Sequence, residues 1–222
     1  AENVNFADEW GSTAPGTGCA RAMGIGHVVL QEFFVDQHVD FFVDYNRRFT
    51  DLPYLVTLEP GEDGAYRPGK FLVAGDFENA EQSSENAMWK PAVIDERTGQ
   101  VVIPQGSIGH RYGDEGLGKW NLDLGEITPA LTLHKDKFHA VEVTLPRFDT
   151  PDGSLAQERR GVPVRTVDGH LVTTVLDLML AHYGVERAGL PGSWPQGYDD
   201  PSVPATPAWA SQICGAPIEQ IV

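Results

Sequence analysis

The chain has 222 residues, with 32 acidic against 16 basic side chains and a formal charge of −16. That charge excludes sequence-independent nucleic-acid binding and a polybasic membrane-surface role, which both need a Lys/Arg surplus, and no run approaches the ~18 consecutive apolar residues of a membrane span. With 41% hydrophobic residues and five Trp, the composition is that of a folded chain, one large domain or two small ones.

Five of the 16 basic residues are lysines: Lys70, Lys90, Lys119, Lys135 and Lys137. A surface rich in Asp/Glu and poor in Lys suits concentrated salt, where carboxylates hold hydrated cations and their mutual repulsion is screened within a Debye length of ~3 Å. An ordinary acidic domain is the alternative. Cys19 and Cys214 lie too far apart in sequence for a Cys-rich metal motif and read as two independent buried thiols.

Both ends suggest a piece of a longer protein. Position 1 is Ala, and AENVNFADEW has neither the basic nor the apolar region of a signal peptide. At the other end APIEQIV resembles the first turn of a helix, with Pro217 at N1. Its apolar stripe of Ile218, Ile221 and Val222 is too short to be buried by one turn.

In chain order, Ala20, Met23, His27, Leu30 and Phe34 recur at steps of three and four, which predicts a helix from about Thr17 to Gln37 with Thr17 as N-cap. Gly24 and Gly26 weaken that helix by about 1 kcal/mol each and imply another backbone packed against it. A second helix is predicted across VDFFVDYNRRF, and LPYLVTLE between Pro53 and Pro60 reads as a buried strand. Helix, helix, strand fits an α/β layer. FLVAG is a short strand, and AVIDERTGQVVIP a hairpin turning at Arg97-Thr98-Gly99. FHAVEVTLPRF alternates as a strand, and GVPVRTVDGHLV turns at Asp168-Gly169. The helix TTVLDLMLAHYG follows, with Gly184 as its C′ residue. Pro191 to Pro207 is loop, and Thr206, Pro207 and Trp209 open a last short helix ending near Gly215.

Few motifs survive inspection. Gly113 to Lys119 fits the start of a phosphate loop, but Trp120 stands where Ser or Thr must hold magnesium, and Asp114 and Glu115 would repel phosphate. Gly24-Ile25-Gly26 lies inside a helix and is no dinucleotide fingerprint. His27, His38, His110, His134, His139, His170 and His182 are scattered without an H-E-x-x-H or Cys/His cluster, so they read as structural. No Gly-x-Ser-x-Gly elbow is present. One feature remains: the loop Ala14-Pro15-Gly16-Thr17-Gly18 at the mouth of the first helix. Backbone N–H groups there attract anions, and Gly16 and Gly18 let a ligand approach the main chain, with simple helix capping as the alternative.

The order ADEW, PGTG, AMGIGHVVLQEFF resembles a segment of the large molybdopterin oxidoreductases, where an acidic-Trp strand end is followed by Pro-Gly-Thr-Asp and a helix with a Met-Gly-His centre. DYNRRFTDLPYLVTLE narrows the resemblance to the branch containing the catalytic (alpha) subunit of respiratory nitrate reductase. GSIGHRYGDEGLGKWNL, LVTTVLDLMLAHYGVER and TPAWASQICG are similar to segments of that subunit in the same order. Residues 126–160 and 188–204 match poorly and look like variable insertions.

The resemblance implies an α/β fold: part of the multi-domain molybdopterin oxidoreductase fold, with a Rossmann-like α/β layer and irregular hairpin-rich insertions. Residues 1–60 then form a portion of the cofactor-binding α/β domain, and 61–222 continue with hairpins, insertions and C-terminal helices. It further implies reduction of nitrate to nitrite at a molybdenum held by two molybdopterin guanine dinucleotides. Electrons come from a quinol pool through an iron–sulfur beta subunit and a membrane-anchoring quinol-oxidising subunit. Gly16, Thr17 and Gly18 are the implied cofactor contacts. Gly18 stands where the family has Asp, so a carboxylate for the guanine base is absent or comes from elsewhere. The molybdenum-ligating Asp and the ligands of a 4Fe-4S cluster are implied upstream of Ala1. The subunit would be peripheral to the membrane through its partners, on the outer face in a halophilic archaeon and otherwise the cytoplasmic face. A sister enzyme acting on chlorate, perchlorate, selenate or dimethyl sulfide, and a non-catalytic acidic binding domain, are the alternatives.

Overall fold

The structure is a computed structural model that describes residues 11–77, 87–105, 123–147, 149 and 157–222. Helix α1 (Gly18–Leu30) buries Ala20, His27 and Leu30 of the predicted stripe, and the stripe continues to Phe34 through a π-helical segment, Gln31–Asp36. The wider winding of those last six residues is the one departure from the predicted helix.

A Cβ on Gly24 would stand 2.8 Å from Ala210 Cβ and 2.8 Å from Ile221 Cγ2, and one on Gly26 would stand 2.4 Å from the Tyr183 ring. The close neighbour that the glycines imply is therefore present, as side chains rather than backbone. Helix α2 (Asp40–Phe49) turns Val43 and Phe42 onto a core with Leu30, Phe34, Leu176 and Leu180, and leaves Phe41, Tyr45 and Phe49 exposed.

The strands β1 (Leu55–Pro60), β2 (Tyr66–Phe71), β5 (His139–Pro146), β6 (Gln157–Val167) and β7 (His170–Thr174) close into a barrel in the order β1-β2-β5-β6-β7. Val93–Ile94 (β3) and Val101–Val102 (β4) pair separately as the predicted hairpin, with Gly99 at φ 69° in its turn. β1 is the pivot. Leu55 packs with Leu72, Ala92, Ile94 and Val172 on one side, while Leu58 packs with Val143, Leu145 and Val162 on the other. Burial on both faces explains why β1 reads as a continuous apolar run.

The described residues form a mix of helices and strands, and within 11–60 the strand pairing is antiparallel. β1 is antiparallel to both of its neighbours, β2 and β7, and β2 meets β5 parallel through the single registered pair Tyr66–Val143. A doubly covered parallel layer needs strands joined by crossover helices. Here β6 and β7 are joined by a tight turn with Asp168 at φ 46° and Gly169 at φ 78°, as predicted. The strand placed at FLVAG lies mainly upstream, in β2, because Leu72 and Val73 leave the barrel toward a 3₁₀ turn at Ala74–Asp76.

Local signals place the remaining helices. In α3 (Val175–His182) Thr174 Oγ1 accepts the Asp177 N–H at 3.0 Å, and Gly184 at φ 73° ends the helix. In α4 (Pro207–Cys214) Thr206 Oγ1 accepts the Trp209 N–H at 3.1 Å, Pro207 fills the first turn, and Gly215 closes it at φ 73°. Ile218–Gln220 forms a 3₁₀ turn, and Ile221 is buried in the α1–α4 seam, so the predicted unburied stripe exposes only Val222 strongly. The thiols correct a second expectation: both are free, but Cys19 is exposed and only Cys214 is buried.

Candidate functional site

The loop before α1 is pinned at several points. Ala14 N–H donates to Cys214 O at 2.8 Å, at the end of α4. Arg21 donates from Nη1 to Gly11 O at 2.6 Å and from Nη2 to Gln220 O at 3.1 Å. Gly16 takes φ 83°, a left-handed conformation that glycine adopts without strain.

Thr17 occupies the N-cap position but does not cap. Its hydroxyl donates backward to Ala14 O at 2.7 Å, and no side chain accepts from the first turn. The Ala20 and Arg21 N–H groups donate to Thr17 O at 3.1 and 3.4 Å, so only those of Gly18 and Cys19 find no acceptor among the described residues, at the positive end of the helix dipole. Among the described residues no heavy atom lies within 4 Å of a Cβ built on Gly16 or Gly18, which leaves the main chain there open to approach.

This helix mouth forms one wall of a cleft of about 410 Å³. Gly16, Thr17, Cys19, Ala20 and Met23 line it from α1, Trp209 and Ile213 from α4, and His182 from the end of α3. Arg147, Asp149 and Glu158 line the far side, carried by the end of β5 and the start of β6. Gly18 is exposed beside the cleft rather than in its lining. Two of the three predicted site residues are thus brought into a common cavity, and the third lies at its edge.

The charged wall is a chain of alternating sign. Arg147 grips Asp149 with Nε–Oδ1 at 3.0 Å and Nη2–Oδ2 at 2.9 Å, and reaches Glu158 Oε1 with Nη1 at 3.3 Å. Glu158 Oε2 is 2.5 Å from Nη2 of Arg160, which is 1% exposed. Arg160 also donates to Ala181 O at 2.6 Å and Ser193 O at 3.1 Å, and lies 5.6 Å over the Trp194 ring. The Arg147 hydrogen bond, helped by the Trp209 indole N–H at 2.9 Å from Oδ2, holds the Asp149 carboxyl below the usual range. Burial pushes the Glu158 carboxyl up despite two guanidinium neighbours, and burial also lowers His182. Asp149 is therefore an ionised acceptor fixed at the cleft, while Glu158 is the wall's more readily protonated group.

These three residues were not visible in the sequence. Arg147 and Asp149 fall in a stretch that reads as a variable insertion, and Glu158 joins them only through β5–β6 pairing. The one local signal is a pair of opposite charges two apart, immediately after a strand.

Two of the histidines meet backbone carbonyls. His27, 3% exposed, has Nδ1 2.6 Å from Tyr183 O, and burial lowers its pKa. His134 Nε2 is 2.9 Å from Ala188 O. Among the described residues no group of three or more His, Cys, Asp or Glu is placed to hold a metal ion, and no helix is long and apolar enough to cross a membrane. The phosphate-loop lookalike at Gly113 to Lys119, His110 and the ADEW segment lie outside the described residues.

No protein-family model matches the chain. Over its whole length it is 55% identical to the nitrate reductase alpha subunit of Mycobacterium tuberculosis, 41% to the nitrate reductase alpha chain of Bacillus subtilis and 36% to the respiratory nitrate reductase 2 alpha chain of Escherichia coli. It spans 18 to 19% of the length of these curated relatives. Aligned end to end with three such subunits, and more than half identical to one of them, the chain belongs to the nitrate reductase alpha-subunit family.

Proposed function

We propose that the chain is a segment of the catalytic subunit of a respiratory molybdenum enzyme that reduces nitrate to nitrite. The mouth of α1 would be its contribution to cofactor binding. The carrying observation is the whole-length identity of 55% to a nitrate reductase alpha subunit, joined to an open cleft at the helix mouth where the family resemblance implies a cofactor. In this reading residues 1–60 contribute to a cofactor-binding domain, and 61–222 form the hairpin-rich continuation.

The chemistry of the cleft fits the nucleoside end of a molybdopterin guanine dinucleotide. At about 410 Å³ it lies toward the lower end of the ~300–1,000 Å³ range of small-molecule sites, which suits one end of so long a cofactor. Gly16 and Gly18 leave the backbone accessible, and the Gly18 and Cys19 N–H groups attract phosphate or carbonyl oxygens. The base needs a carboxylate for its N–H groups, and Gly18 has none. Asp149 lines the same cleft, is held ionised by Arg147, and is the replacement in this proposal. Arg147 and Trp209 keep that carboxylate in place.

When bound, the molybdenum centre supplies the two-electron removal of an oxygen atom from nitrate. The residues of this chain bind and orient the cofactor at its far end. Electrons would arrive from a quinol pool through an iron–sulfur beta subunit and a membrane-anchoring partner, making the subunit peripheral to the membrane. The metal-ligating Asp and the 4Fe-4S ligands belong, in this proposal, to other parts of the subunit.

The test is dye-linked reduction by the intact complex. Nitrite formed from nitrate at a higher kcat/KM than the turnover of chlorate, perchlorate, selenate or dimethyl sulfide supports the reading. A complex that turns over one of those substrates and leaves nitrate unchanged refutes it in favour of a sister enzyme.

A further inference from the structure

Away from that cleft, the basic side chains are not spread evenly. Acids outnumber Lys and Arg 32 to 16, and five residues of the chain are lysines. Two of those five, Lys135 and Lys137, line a pocket of about 330 Å³ together with Arg165 and His139, and no carboxylate lines it. Asp136 lies between the two lysines in sequence but outside the lining. None of the four basic residues forms an ion pair among the described residues. In a chain of this composition, a pocket with three cations and no acid is the reverse of the average surface.

The floor of the pocket is apolar. Ile94 and Ala130 come from the buried cluster around Leu55, and Val164 from the buried cluster around Leu58. Half-buried Leu133 and Phe138 complete it. The basic residues stand around that floor on backbone that is held in place. Arg165 Nη1 donates to Gly99 O at 2.6 Å, and Gly99 itself lines the pocket, which sets the guanidinium at the rim. Nε and Nη2 of Arg165 make no hydrogen bond among the described residues. His139 is registered opposite Val164 across β5 and β6, and directly opposed residues of an antiparallel pair share a sheet face. The loop that carries both lysines is pinned through His134. Its N–H donates to Thr132 Oγ1 at 3.0 Å, its Nε2 lies 2.9 Å from Ala188 O, and its ring centroid lies 4.4 Å from that of Phe138.

We propose that this pocket binds a small monocarboxylate amphiphile, with its apolar body on the floor and its anionic head among Lys135, Lys137 and Arg165. Charge complementarity selects the head: three cations without acidic partners attract an anion and disfavour an amine. The floor selects the body. A hydrated inorganic anion would leave Ile94, Ala130 and Val164 uncovered, whereas a hydrocarbon removes them from water. Size sets the limit, since about 330 Å³ lies at the lower end of the ~300–1,000 Å³ range of small-molecule sites. No residue of the α1 cleft lines this pocket, so the two sites are separate.

The experiment is isothermal titration calorimetry of the intact enzyme with octanoate. Acetate, which lacks the body, and octylammonium, which reverses the charge, are the comparators. A saturable octanoate site, tighter than either comparator, supports the proposal. Lys135→Gln, Lys137→Gln and Arg165→Gln combined in one variant should weaken octanoate by about tenfold, exposed ion contacts being worth roughly two- to threefold each, and should leave nitrate reduction unchanged. Octanoate binding no tighter than octylammonium, or unaltered in the triple variant, overturns the proposal. So does the absence of a saturable site because another segment of the subunit already fills the pocket. Should the triple variant fail to fold, Lys137→Glu, a single change at an exposed residue, should weaken octanoate by about fourfold through one lost contact and one repulsion of similar size. Unchanged affinity there overturns the proposal equally.

Discussion

Removing the Asp177 carboxylate should damage the fold more than any other single truncation in the barrel's surroundings. Asp177 is 0% exposed, and four groups converge on it: Arg187 Nη1 at 2.6 Å and Thr132 Oγ1 at 2.5 Å on Oδ1, with Leu133 N at 2.9 Å and Thr174 Oγ1 at 2.9 Å on Oδ2. These contacts tie the 131–134 segment and the stretch after α3 to the first turn of α3. Asp177→Ala strands a buried guanidinium, which costs about 3–5 kcal/mol, and also leaves the Leu133 N–H without its acceptor. At about 2–4 °C per kcal/mol for a chain of this size, Tm should fall by roughly 6–20 °C. Thermal and urea unfolding followed by circular dichroism read both quantities. The double change Asp177→Leu with Arg187→Met, which replaces the pair by apolar groups, should be markedly less damaging than the sum of its singles. A loss below about 1 kcal/mol for Asp177→Ala would refute the reasoning.

Three further outcomes follow from the same geometry. Gly24→Val places a Cβ 2.8 Å from Ala210 and Ile221 and should cost about 1–3 kcal/mol by overpacking, whereas Gly18→Ala, with no heavy atom of the described residues within 4 Å, should be neutral or stabilising by up to ~1 kcal/mol; urea midpoints in the opposite order would sink the packing argument. Thr206→Ala removes the acceptor of the Trp209 N–H in a site that is 0% exposed and should cost about 1–2 kcal/mol, with Thr206→Ser recovering most of it in the same unfolding assay. Asp149 has its pKa lowered in the fold, chiefly by Arg147, so its stabilisation is full above the unfolded value near ~3.9 and is lost as pH falls through the lower folded value. The wild-type chain should therefore lose more stability than Asp149→Asn on acidification below about pH 4, and parallel pH profiles would contradict this.

How much of this was legible depends on the range of the determining interactions. The α1 stripe, the caps at Thr174 and Thr206, the Asp168-Gly169 turn and the closing glycines 184 and 215 are set by residues within a few positions of one another. The sequence pattern accordingly locates those elements closely. Closure of the barrel is different. It rests on β1 meeting β7 and on Tyr66 meeting Val143, pairings between residues about 80 to 120 positions apart that no local pattern encodes. Helix, helix, strand at residues 17–60 is compatible with a parallel layer as well as with an antiparallel barrel, and the choice is made by strands that come later. The π-helical winding at Gln31–Asp36 leaves the apolar spacing almost unchanged, so periodicity does not reveal it. At the site, Gly16 and Thr17 were legible because a glycine-bearing helix mouth is a local motif. Thr17's hydroxyl turning back to Ala14, and the arrival of Asp149 in the wall of the cleft that Gly16 and Thr17 line, were not.

Guanine nucleotide content tests directly whether the mouth of α1 seats the nucleoside end of a guanine-dinucleotide cofactor. Acid treatment of the purified intact enzyme releases GMP from such a cofactor, and GMP per subunit can be compared between wild type and Gly18→Leu. Among the described residues no heavy atom lies within 4 Å of a Cβ at position 18, so the leucine side chain meets none of them there. If it enters the volume of a bound nucleoside, retained GMP should fall by about half, one of the two guanine dinucleotides being lost, which at a tenfold loss of affinity corresponds to ~1.4 kcal/mol, with an unchanged melting curve for the cofactor-free protein. Full GMP content in Gly18→Leu would contradict the account.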